Sequence, residues 1–217
     1  MTQFYAVSTD MGDPYCVYGG LQDNGTWGGP SMSRQEAILT DFWFNIEGGD
    51  GFHTQNDPTD WRTVYCESQG GNIMRVNVET RESQRIRPTQ ENTHNWKEYV
   101  SPPPKRKPEE LESQQSPFSR GRSSFRFNWS SPILISPHNP HIIYFGGNHL
   151  FKSIDRGDHW KIISPDLTTD DPEKHSKPTG GLTLDQTGAE THCTIITISE
   201  SPITPGLIWV GTDEAEP

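Results

Sequence analysis

Apolar residues in this chain come in short alternating runs, each bounded by Gly, Pro, Asp or Asn, and almost nowhere with the spacing of an amphipathic helix. The runs recur as a phrase: a proline-containing turn, a β-branched or apolar pair, an aromatic residue, then small or polar residues. It reads DPYCVYGG to Gly20, DPTDWRTVYCES to Ser68, SPHNPHIIYFGG to Gly147 and SPITPGLIWVGT to Thr212. The aromatic anchors Tyr18, Tyr65, Tyr144 and Trp209 lie 47, 79 and 65 residues apart. Two stretches of low order, Thr89 to Arg126 and Thr168 to Ala189, account for 38 and 22 of these residues. Without them the intervals are 47, 41 and 43, the length of a four-stranded propeller blade, about 40 to 50 residues.

Each interval then reads as one blade. The third is clearest, with strands in SSPILISP, HIIYFGG, HLFKSI and HWKIIS; the second follows as GFHTQ, RTVYCES, NIMRVNV and SQRIRP. The first has QFYAVST, CVYGGLQ, the Trp27 region and DFWFNI, and the fourth has only HCTIITIS and LIWVGT. The expected fold is all-β: a partial propeller of about three and a half antiparallel blades (about 3–45, 46–88, 127–165 and an incomplete 190–217), not a closed ring. Residues 89–126 form a Pro-rich, charged insertion and 168–189 a long inter-blade loop.

Composition narrows the function classes. Hydrophobic residues make up only 30%, so the core must draw on the seven Trp, six Tyr and nine Phe. The net charge of -11 repels nucleic acid and anionic membranes, and neither is an expected partner. No apolar run is long enough to span a bilayer, and MTQFYAVSTDMGD has no signal-peptide pattern. Cys16, Cys66 and Cys193 have no metal-ligand spacing and are expected as free thiols. His138 and His141 sit in a turn without a third ligand, so neither a metal nor another cofactor is expected. Asn24-Gly-Thr26 and Asn128-Trp-Ser130 fit the glycosylation sequon. The P-loop, G-x-S-x-G, H-E-x-x-H and dinucleotide signatures do not occur.

SIDRGDHW, Ser153 to Trp160, carries Ser153, Asp155, Gly157 and Trp160 at the spacing of the Asp-box, S-x-D-x-G-x-T-W, with His159 in place of the usual Thr. Asp155 is expected to accept bonds from the turn's backbone, Gly157 to take a positive φ and Trp160 to pack across the hairpin. Together with YGGLQDNGTWGG, GGDGFHTQNDP and HCTIITISESP, this hairpin resembles the bacterial Asp-box (BNR-like) propeller proteins related to the sortilin N-terminal domain and to xyloglucanase-type glycoside hydrolases. The resemblance implies a ligand-binding scaffold for a peptide or glycan. The alternative is a glycoside hydrolase with paired carboxylates. It further implies an extracellular or periplasmic protein whose remaining blades lie outside this chain.

If the strand order holds, the turns after each second strand and the crossings before each first strand share one end. That end would gather Asp23, Asn24, Trp27, Asp50, His53, Glu67, Asn128, Trp129, Asn148, His149, Glu190, His192 and Asp213 as ligand-binding residues. Asp23 and Asp50 are the candidate catalytic carboxylates. Each sits among glycines that would let a ligand approach the backbone. The Asp-box hairpin falls at the opposite end and is expected to be structural.

Overall fold

A computed structural model describes residues 3–34, 37–99, 125–171 and 191–214. Most of the Pro-rich insertion, most of the 168–189 loop and Glu190 lie outside the described residues.

The fold is an open, all-β propeller segment. Blade 1 comprises β1 (Val7–Thr9), β2 (Cys16–Leu21), β3 (Gly25–Pro30) and β4 (Phe44–Glu47). Blade 2 has β5 (Gly51–Asn56), β6 (Thr63–Ser68), β7 (Asn72–Asn77) and β8 (Ser83–Arg85); blade 3 has β9 (Ile133–Ile135), β10 (Ile143–Gly146), β11 (Leu150–Ser153) and β12 (Lys161–Ile162). The fourth sheet contains β13 (Ile195–Glu200) and β14 (Ile208–Thr212). Every neighbouring pair is antiparallel, as tight turns between consecutive strands require. Neighbouring first strands touch, and Ser8 Oγ lies 2.7 Å from both Thr54 Oγ1 and Asn56 Oδ1, joining blade 1 to blade 2.

The core consists of the seams between blades. Tyr18 and Val64 pack between blades 1 and 2, Tyr65, Phe145, Phe151 and Trp160 between 2 and 3, and Tyr144, Leu150 and Ile195 between 3 and 4. Three of the four aromatic anchors are thus buried. Trp209 is 55% exposed, because no further sheet among the described residues covers the face of β14. Glycines in the last positions of the second strands serve these seams. A Cβ on Gly20 would lie 2.1 Å from the Gly51 carbonyl carbon, and one on Gly146 would lie 2.9 Å from Ile195 Cγ2. Their open space is therefore occupied by the next blade and is not left for a ligand.

The start of the predicted insertion is ordered. Thr93 bridges Trp160 in parallel, the Trp160 amide donates to the Asn92 carbonyl (2.7 Å), and Trp96 and Tyr99 pack on the seam of blades 2 and 3. The short outer strand β12 leaves hydrogen-bonding groups that this segment satisfies. Cys16, Cys66 and Cys193 are all free thiols.

Candidate functional site

The connections β2–β3, β6–β7 and β10–β11 and the described residues leading directly into β5, β9 and β13 lie at one end of the blades. Twelve of the thirteen predicted ligand residues are described, all at or near that end.

Two linked groups emerge. Between blades 1 and 2, the Asp23 amide donates to Asp50 Oδ1 (2.5 Å). Asp23 has a φ of 59°, which turns its amide toward the next blade. Trp27 folds back so that its indole N–H donates to the Asn24 carbonyl (2.6 Å), and the Asp50 amide donates to Gln69 Oε1 (2.7 Å). Asp23 and Asn24 are exposed, while Asp50 is half-buried and committed to a backbone bond. His53 beside them is held neutral, since burial lowers its pKa.

Between blades 3 and 4, Asp213 accepts from the Thr194 amide (3.0 Å) and hydroxyl (2.9 Å), and Asn128 Nδ2 reaches the same carboxylate at 3.4 Å. His192 is exposed with Nδ1 3.9 Å from Asp213. Between the two groups the Trp129 carbonyl accepts from Gly70 (3.2 Å).

Three predicted residues are buried within the scaffold. Asn148 is clamped between the Arg126 amide (3.1 Å) and Asp166 (2.8 Å), and His149 is enclosed by Phe125, Tyr99 and Phe151. Glu67 is fully shielded; its Oε1 accepts from the amides of Gly71 (3.2 Å) and Ser131 (3.1 Å), while Oε2 has no hydrogen-bond partner among the described residues. Desolvation outweighs those bonds and pushes its pKa well above the usual carboxylate range, which favours the protonated form.

Two polar neighbours escaped the sequence reading. Tyr5 is exposed, packs at a tilt against Phe52 with centroids 4.8 Å apart, and donates its hydroxyl to Gln22 Oε1 (2.9 Å). Gln69 occupies the β6–β7 turn. Applying the same position rule to every blade would have found both.

At the other end, Asp155 Oδ1 accepts from the His159 amide (2.9 Å) and lies 2.8 Å from Ser153 Oγ, which accepts from the Gly157 amide (2.8 Å). Gly157 has a φ of 96°, and a Cβ there would strike Ile86. Trp160 is buried and donates Nε1–H to the Ile86 carbonyl (2.7 Å). His159 Nδ1 lies 2.7 Å from Asp155 Oδ2, supplying the side-chain bond expected of threonine.

The chain superposes on the crystal structure of the GH74 xyloglucanase from Xanthomonas campestris with a TM-score of 0.48 and 13% identity, over 91% of this chain and 24% of that one. The chain thus spans about a quarter of the enzyme's length. No family model matches the sequence, and no curated protein does.

Proposed function

We propose that this propeller segment is a sortilin-like, Asp-box ligand-binding scaffold that takes a peptide or glycan on the end carrying Asp23 and Asp50. The observation that carries the reading is the rim itself. Exposed carboxylate, amide and imidazole groups sit on turns tied blade to blade through Asp23 to Asp50 and through Asn128 to Asp213. Such a rim offers hydrogen bonds from rigid turns, with the partly exposed Trp27 and Trp129 supplying apolar surface. The bonding of Ser153, Asp155, Gly157 and Trp160 supports their reading as a structural Asp-box.

Binding is favoured over glycoside hydrolysis by the state of the carboxylates. A glycosidase needs an acid and a base or nucleophile facing one cleft. Here Asp23 is exposed, Asp50 and Asp213 are spent on backbone amides, and Glu67 is sealed. Further blades outside this chain and an extracellular or periplasmic location belong to the same proposal.

Binding assays against oligosaccharide and peptide panels, with Asp23→Ala as the variant, test it. The expected result is saturable binding to one class, affinity lowered about tenfold by the substitution, and no turnover. Polysaccharide cleavage that Asp23→Ala abolishes while binding survives would replace this reading with the hydrolase.

A further inference from the structure

A cavity of about 830 Å³ opens at the Asp-box end, between blades 2 and 3. Blade 2 contributes Arg75, Ser83 and Gln84 to its wall, and blade 3 contributes Asp155, Arg156 and Asp158. The volume is that of a small-molecule pocket, about 300–1,000 Å³.

Both guanidinium groups in this wall are already paired. Arg75 Nη2 lies 3.0 Å from Asp158 Oδ1, and Arg156 Nη2 lies 2.9 Å from Asp57 Oδ2, whose side chain is completely buried. Asp155 is occupied by the hairpin and His159. The same bonds hold the planar groups in fixed orientations: Gln84 donates to Asp158 (3.0 Å) and accepts from Arg75 (2.6 Å), and Arg75 also donates to the Arg156 carbonyl (2.9 Å). No cation is left for an anionic ligand, while Glu82 in the same wall accepts from the Thr80 hydroxyl (3.2 Å) and has no cationic partner among the described residues, so its carboxylate remains a further hydrogen-bond acceptor. An apolar ligand fares no better, because among the described residues Val76 is the one aliphatic side chain in the wall and is itself buried.

What remains available is hydrogen-bonding capacity of both kinds. The Ser83 hydroxyl and the His141 imidazole are exposed in the wall and have no side-chain partner among the described residues. Hydroxyl and imidazole groups each donate and accept, as do the hydroxyls of a sugar. We propose that this groove binds a neutral sugar residue through Ser83, His141 and the fixed planar groups of Arg75 and Gln84. The site shares no residue with the rim at the opposite end, so either can fail without the other.

Calorimetric titration of the full chain with cellobiose, xylobiose and lactose, and with glucuronate and glucosamine as charged probes, tests the proposal. At least one neutral disaccharide should bind saturably in the millimolar range. Ser83→Trp, which fills the groove from an exposed strand position, should weaken that binding at least about tenfold. Gln84→Ala, which removes an exposed amide, should weaken it several-fold and serves if Ser83→Trp fails to fold. Four outcomes would overturn the proposal: no saturable binding, wild-type affinity in the folded groove variants, a charged probe binding at least about tenfold tighter, or binding abolished by Asp23→Ala and untouched by Gln84→Ala.

Discussion

Glu67→Gln should leave the fold intact and abolish a pH dependence of stability that Glu67 imposes. The wild-type carboxyl ties the turn after β6 to the crossing into blade 3 through the amides of Gly71 and Ser131. Because burial raises its folded pKa well above the usual 4.5, the folded protein binds this proton more tightly than the unfolded chain. Its favourable contribution is therefore fully present below about pH 4.5 and is lost as pH rises toward and through the folded value. The loss is up to about 1.4 kcal/mol per pH unit across that window. Glutamine resembles the protonated acid and keeps a carbonyl acceptor for both amides. Alanine removes it and strands two buried N–H groups at about 1–3 kcal/mol each, roughly 2–6 kcal/mol together. Urea unfolding followed by tryptophan fluorescence from pH 5 to 8 measures the difference between wild type and Glu67→Gln. Wild type should lose ground steadily as pH rises. A difference that stays flat, or a variant already several kcal/mol weaker at pH 5, would show that Glu67 works as an ionised carboxylate and refute the reasoning.

Asp155→Ala removes the acceptor of the His159 amide and imidazole at a partly exposed hairpin, and should lower stability by about 1–2 kcal/mol in chemical denaturation while leaving rim ligand affinity unchanged. Hydrogen bonds keep the Asp155 pKa low despite burial, so its contribution is present above the unfolded value near 3.8 and disappears as pH falls through the folded value; acid titration of wild type against Asp155→Ala reads this loss. Gly20→Ala drives a Cβ into the Gly51 backbone and should cost several kcal/mol or prevent soluble expression, whereas Gly70→Ala meets no neighbour and pays only for its positive φ; their melting temperatures should differ accordingly. Trp160→Phe keeps an aromatic ring in the seam but loses the bond to the Ile86 carbonyl, and should cost about 1–3 kcal/mol in the same denaturation assay.

The blade period, the strand positions and the hairpin at Ser153 to Trp160 were legible in the chain itself. They depend on local rules: alternation sets the strand, Gly and Asp set the turn, and the aromatic anchors mark one position per blade. The common end of the predicted rim residues also followed, because antiparallel order alone sorts turns to two ends. Tertiary structure decided what each polar residue faces. Glu67 and Asn148 occupy positions equivalent by strand order to those of exposed residues, yet the neighbouring blade closes over them and turns them into struts. Gly20 and Gly51 read as open approaches to a ligand, and their space is filled by one blade lying on the next. The groove between blades 2 and 3 had no sequence signal, because its walls come from segments about eighty residues apart, as in the Arg75–Asp158 pair, and only the stacking of sheets brings them together. Local sequence specifies each blade; the angle and distance at which blades pack decide which side chains meet solvent and which meet another blade.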